Sequence, residues 1–276
     1  MFPIDSRCLF APLATGPRFC LLHRPAAGTP LGVVLYLHPF AEEMNKCRRM
    51  AALGARALAA AGFAVAQVDL LGCGDSPGDF GEATWDAWTQ DVQAAAEWLA
   101  RQQGLSMAWL WGLRAGCLLA AEASRRIESV NGLLLWQPVA SGAQHLAQFL
   151  RLKSANALLA SGSASRRDDL RRKLVEEDQP VEVAGYTLSP ALARGLERAT
   201  LEVGAQVKRI VWLEVSATTP PALSPAAGQR IARWQAQELQ VAAHAVAGSP
   251  FWQTVEVSEC HALAEATVSA LQTGGG

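Results

Sequence analysis

The chain lacks an excess of either charge: 24 lysines and arginines stand against 25 acidic residues, for a formal net charge of −1. That balance gives nucleic acid no electrostatic footing as a partner. No apolar run approaches the ~20 residues that span a membrane. The opening MFPIDSRCLF has no basic segment followed by an apolar stretch, so no secretory leader is expected. Six cysteines (Cys8, Cys20, Cys47, Cys73, Cys117 and Cys260) are scattered without C-x-x-C spacing. This excludes a zinc site and predicts reduced thiols in a cytoplasm, with neither metal nor cofactor. The closing Gly274-Gly275-Gly276 reads as a frayed end or an appended scar.

What is present is a bend. Residues 107–125, MAWLWGLRAGCLLAAEASR, read as a buried strand running through a tight turn into a helix. The turn, Gly112-Leu113-Arg114-Ala115-Gly116, satisfies G-x-S-x-G at every position except the central one. In that motif the glycines let strand and helix approach closely, while the apex residue is held strained and exposed as a nucleophile. Here the apex is arginine, which stays protonated and cannot attack a carbonyl.

With 276 residues, half of them hydrophobic, the chain suits one α/β domain with a sizeable core and an insertion. Strand-like runs at 32–37, 63–70, 131–139, 207–216 and 239–248 alternate with helical patterns at 46–61, 84–103, 225–238 and 258–271. This alternation predicts a mostly parallel sheet with helices on both faces. Residues 19–25, FCLLHRP, read as an edge strand. From 140 to 205 the alternation stops, giving way to helices at 143–160 and 165–178, an extended piece near VEVAGYTL, and a helix from Pro190. The i,i+4 spacings of Asp169 with Lys173 and Arg167 with Arg171 mark a solvated helical cap. Residues 1–139 and 206–276 then form the core, and 140–205 the cap roofing the carboxyl ends of the strands.

This order of parts resembles the α/β-hydrolases. There, oxyanion N–H groups come from the loop after the first central strand and from the residue after the nucleophile. The matching positions are the stretch His38-Pro39-Phe40-Ala41 and Ala115. An acid should follow strand 207–216, but Ser216-Ala217-Thr218-Thr219-Pro220 holds none, and Glu214 lies within the strand. A histidine should follow the last strand, but Gly248-Ser249-Pro250-Phe251-Trp252 has none. His244 reads as a core or sheet histidine, while His23 and His145 read as incidental. Cys117 packs one turn into its helix. Cys73, in a glycine-rich loop at the rim, is the better thiol candidate, with His38 or His261 as the possible base.

The remaining loop, HPFAEEMNKCRR, carries Glu42, Glu43, Asn45, Lys46, Arg48 and Arg49 around a predicted helix start. Cations there oppose the helix dipole and gain from a nearby anion, as does Arg114 at its own helix start. Arg114 therefore either closes on Glu42 or Glu43 or holds a ligand's carboxylate, phosphate or sulfate. Gln137 and Trp252 would complete a polar pocket with an aromatic wall.

Taken in order, HPFAEEMNKCRRM, VDLLGCGDSPGDF, LWGLRAG, LLLWQPV, QFLRLKSA and SPFWQT resemble the second group of exosortase A system-associated hydrolases, from about residue 17 to 271. That resemblance implies an α/β-hydrolase fold and a bacterial cytoplasmic protein. It also implies association with PEP-CTERM protein sorting and exopolysaccharide production, and an arginine elbow, without assigning a substrate. Three functions compete: a non-hydrolytic binder of an acidic small molecule or glycan precursor, an acyl hydrolase or transferase with an unusual nucleophile, and a protein-interaction scaffold. A homo-oligomer is left open.

Overall fold

A computed structural model describes residues 2–105, 109–161, 167–254 and 256–273. Residues 107–108 of the elbow run, the predicted start of the second cap helix at 165, and Gly274–Gly276 lie outside the described residues.

An eight-stranded sheet organises the chain: β1 (Ile4–Leu13), β2 (Gly16–Pro25), β3 (Val33–Leu37), β4 (Ala64–Val68), β5 (Trp109–Leu113), β6 (Gly132–Trp136), and two late strands introduced below. The late pair, β9 (Arg209–Ser216) and β10 (Gln240–Ala247), completes the order β1-β2-β4-β3-β5-β6-β9-β10. Pairing is antiparallel for β1 with β2 and β2 with β4, and parallel from β4 onward. Strands β3, β5 and β6 are buried throughout, as central parallel strands must be when both faces are covered.

Period-two alternation divides each central strand between two apolar layers. On one face Val34, Tyr36, Trp109, Trp111, Leu134 and Trp136 pack beneath helices α1 (Glu42–Ala60) and α8 (His261–Gln272). Trp111 meets Tyr36 and Trp136 edge-to-face, at 4.6 Å each. On the other face Leu35, Leu110 and Leu133 pack against α2 (Trp85–Gln103), α3 (Gly116–Ser124) and α7 (Pro225–Gln235). Local signals set the boundaries: Thr84 Oγ1 caps α2 by accepting from Ala87 N at 3.0 Å, and Gly104 ends it at φ 63.

Between β6 and β9 the alternation gives way to α4 (Gly142–Ser161), α5 (Arg167–Val175), the hairpin β7 (Val181–Val183) with β8 (Tyr186–Leu188), and α6 (Pro190–Arg198). The extended piece is thus a hairpin, turned at Ala184 and Gly185, both at positive φ. Within α5, Asp169 pairs with Arg172 at 3.2 Å, while Leu170 and Leu174 are buried. This is the α/β-hydrolase fold. Among the described residues, no helix is long and apolar enough to cross a membrane.

Four expectations need correction. Helix α1 begins at Glu42, not 46, so its first turn is acidic and suits the dipole instead of opposing it. Strand β2 lies inside the sheet between β1 and β4, which buries His23 against Ser6 and Gln67. Strand β10 is the far edge, so of the two readings of His244 the sheet one holds and the core one does not: it is exposed within the strand. His145 is not incidental, as the site geometry shows.

Candidate ligand site at the elbow

The bend between β5 and α3 is built by two glycines. A Cβ on Gly116 would lie 2.3 Å from the Leu37 carbonyl oxygen, and one on Gly112 would lie 2.5 Å from Cys117 N. Between them Arg114 adopts φ 55, the left-handed region that non-glycine residues occupy only under constraint. Its N–H donates to the Trp136 carbonyl at 3.0 Å, and Cys117 N donates to the Arg114 carbonyl at 3.0 Å, fixing the bend. The tight strand-to-helix bend thus carries a guanidinium at its apex.

That guanidinium is nearly enclosed. Arg114 Nε and Nη2 both donate to Glu43 Oε1 at 3.2 Å, and its Cζ stands 5.3 Å from the Trp252 ring centroid. The pairing resolves the internal alternatives in favour of Glu43. Side-chain exposure is 12% for Arg114 and 9% for Glu43. Burial still raises the Glu43 carboxyl above the usual range, with Arg114 pulling against it, and burial likewise raises Glu42. The bridge uses one carboxylate oxygen for two donors, so Glu43 Oε2 has no partner and Arg114 keeps N–H groups without a protein acceptor among the described residues.

Those open groups border a cavity of about 250 Å³. The α1 start contributes Phe40, Glu42, Glu43 and Lys46, and the loop after β10 contributes Trp252 and Gln253. Helix α4 closes the cavity with His145, Gln148, Phe149 and Leu152. Four buried polar atoms without a partner belong to its lining: Glu42 Oε2, Glu43 Oε2, His145 Nδ1 and Trp252 Nε1. Burial, with the Arg114 charge second, lowers His145 to a pKa of about 3, so the imidazole is neutral. The Ala41 and Ala115 N–H groups also have no acceptor among the described residues. Ala41 holds φ 47 and ψ −123 at the α1 start, and Ala115 caps α3. A second hollow of about 560 Å³ adjoins Arg114, His145 and Trp252 and reaches Gln137. Gln137 is committed to the backbone: its Oε1 accepts from Val215 N at 2.8 Å.

The predicted residues therefore divide. Phe40, Glu42, Glu43, Lys46, Arg114 and Trp252 converge on one cavity, with Gln137 beside it. Ala41, Asn45 and Cys73 instead border a hollow on the other flank of α1, and His38 lines a groove that continues it. Burial, with Asp69 second, pushes the Cys73 thiol well above its ordinary range, so it stays protonated. His38 Nδ1 donates to the Pro39 carbonyl at 2.9 Å, and burial lowers its basicity. His261 is exposed on the surface, 3.0 Å from Glu259. Neither histidine has Cys73 as a hydrogen-bond partner, so the thiol lacks the base that the nucleophile reading requires. Glu214 is also committed: Oε2 accepts from Ser224 N at 2.7 Å and Oε1 from Ser224 Oγ at 3.0 Å, at the start of α7.

The family model for "Serine aminopeptidase, S33" matches residues 28–246. The chain belongs to this S33 family. Solved structures agree with the S33 fold at low identity. Est1E from Butyrivibrio proteoclasticus, solved with ferulic acid bound, aligns with a TM-score of 0.66 at 14% identity, over 96% of this chain and 98% of its own. XC6422 from Xanthomonas campestris, described as an a/b serine hydrolase without lid, gives 0.55 at 18%, over 99% and 95%. DcsB, in complex with its substrate analogue, gives 0.61 at 12%, over 98% of both. No curated protein matches the S33 chain.

Proposed function

We propose that this S33 chain is a degenerate member of its family whose elbow holds a ligand instead of attacking one. The ligand is a small molecule with an acidic group, an anionic metabolite or a glycan precursor, bound beneath a cap of residues 140–205 on a core of 1–139 and 206–276. Arg114 carries the reading: it takes the nucleophile's position, bonds a single oxygen of Glu43, and borders the cavity with N–H groups to spare. A carboxylate or phosphate on those groups forms charge-assisted, fork-shaped bonds.

The neighbours supply the rest. Lys46 adds charge from the cavity lining, and the Ala115 N–H beside Arg114, without an acceptor among the described residues, is a further donor at the start of α3. Phe40 and Trp252 wall the apolar part, and the open oxygens of Glu42 and Glu43 take its hydroxyl groups. Gln137 limits the depth of the site from the adjoining hollow. The motif resemblance to exosortase A system-associated hydrolases supports a cytoplasmic role beside PEP-CTERM sorting and exopolysaccharide production.

Thermal-shift measurements with carboxylates, sugar phosphates and uronic acids test the proposal. A ligand at a hundred times its Kd stabilises the protein by about 2.7 kcal/mol. The expected result is that this gain disappears in the Arg114→Gln, Glu43→Gln double variant, which keeps the bridge sterically but removes both charges. Equal stabilisation of parent and double variant would overturn the reading. So would turnover of activated esters above background that disappears in Cys73→Ala.

A further inference from the structure

A second recess lies on the opposite flank of α1 and shares no lining residue with the Arg114 cavity. It is a groove of about 310 Å³ between α1 and strand β2. Arg48, Ala52 and Arg56 stand at i, i+4 and i+8 on α1 and form one stripe along its wall. Phe19 and Leu21, alternate residues of β2, form the facing wall.

Three features make this a built site instead of a surface crease. First, the groove reaches the Tyr36 side chain, which is only 5% exposed, and the Tyr36 hydroxyl has no hydrogen-bond partner among the described residues. The hydroxyl oxygen is not among the fully enclosed polar atoms, so it opens onto the groove and is free to donate to a ligand acceptor. Second, His38 also lines the groove; since Nδ1 donates to Pro39, buried Nε2 is left as an acceptor without a donor. Third, the lining carries Arg48, Arg49 and Arg56 against the single carboxylate of Asp69. Asp69 is taken by Arg48 at 3.0 Å and by Asp75 N at 3.0 Å, and Arg49 pairs with Glu259. Arg56 has no carboxylate partner among the described residues.

The groove also has a direction. Phe19, Leu21, Met44 and Arg48 border a further hollow of about 550 Å³ that extends to Cys73, Phe80 and Tyr186. A cationic, hydroxyl-bearing end thus continues into a hollow whose apolar wall is Phe19, Leu21, Met44, Phe80 and Tyr186, with Asn45 and Asp75 at its border.

We propose that this groove is a second ligand site, for an amphiphile with one anionic head group, carboxylate or phosphate, on an unbranched apolar chain. The head lies between Arg56 and Tyr36, and the chain runs over Phe19, Leu21 and Met44 towards Tyr186. Isothermal titration calorimetry at low ionic strength, with octanoate, octyl phosphate, octanol and inorganic phosphate, tests it. Both amphiphilic acids should bind, with octanol and inorganic phosphate at least about tenfold weaker. Arg56→Gln and Tyr36→Phe should each weaken the acids by about tenfold while melting normally, and the Arg114→Gln, Glu43→Gln variant should bind as the parent does. Octanol binding as tightly as the acids, or acids indifferent to both groove variants, would overturn the proposal. Absence of binding, or binding lost only in the Arg114 double variant, would overturn it as well; the latter result would credit the cavity under the cap.

Discussion

Replacing Arg114 with alanine should destabilise the protein in a pH-dependent way that only a buried ion pair produces. The two side chains are 12% and 9% exposed and joined through Glu43 Oε1. Removing one partner of a buried pair costs about 3–5 kcal/mol, because the other charge is left without compensation. For a chain of this length that loss lowers the Tm by about 2–4 °C per kcal/mol, so roughly 6–20 °C in all. Burial already raises the Glu43 carboxyl, with Arg114 pulling it back. A carboxyl whose folded pKa is raised favours the protonated native state, so its penalty is full at high pH and relieved as pH falls into the carboxylate range. Without Arg114 that penalty is no longer offset. The gap between parent and Arg114→Ala should therefore be wider at pH 8 than at pH 5, as read by urea unfolding at both. The Arg114→Met, Glu43→Leu double variant removes both charges and should return to within about 1 kcal/mol of the parent, or above it. A single variant that loses under ~1 kcal/mol at every pH, or a double variant as unstable as the two singles combined, would refute the argument.

Because Arg114 sits at φ 55, Arg114→Gly should exceed Arg114→Ala in stability by about 1 kcal/mol, reversing the usual order of these residues beside a helix. Gly116→Ala should lower the free energy of unfolding by about 3 kcal/mol, read as a lower urea midpoint at unchanged slope, since its methyl would lie 2.3 Å from a backbone oxygen. In the native protein only Cys8 should react quickly with a thiol reagent at pH 8, because the other five cysteines are buried; a fast second thiol at Cys73 would contradict the packing. His145 falls from 6.5 to about 3 on folding, so the unfolded chain takes up a proton that the native state refuses. Stability should drop by about 1.4 kcal/mol per pH unit below 6.5, a slope that His145→Gln removes; equal slopes in parent and variant would exclude the histidine as its cause.

Much of the architecture was legible because it rests on periodicity. The all-apolar β3, β5 and β6 could be nothing but central strands, and Thr84 and Gly104 bracket α2 as capping chemistry requires. The convergence of Arg114, Glu43 and Trp252 followed from where this topology puts its loops. What local pattern does not encode is docking. His145 looks like any polar residue on an amphipathic helix, and only the seating of α4 over Arg114 makes it a wall of the cavity. Likewise His38, Asn45 and Cys73 lie close in sequence or loop to the predicted site, yet the body of α1 separates them from it. The start of α1 was misread because the first turn of this helix is polar, and polarity alone does not tell loop from helix.

The corner between β5 and α3 owes its shape to Gly112 and Gly116 pressing on Leu37 and Cys117, and nothing in those contacts depends on the side chain at 114. Geometry and reactivity are thus separable at this corner, and the residue at its tip can be exchanged without redrawing the bend. A serine at this tip would carry its hydroxyl on the same bend, but the stretch Gly248-Ser249-Pro250-Phe251-Trp252 after β10 holds no histidine to take its proton. On the proposed reading, bond cleavage at this tip would take at least two coordinated exchanges, one for the hydroxyl and one for its proton acceptor.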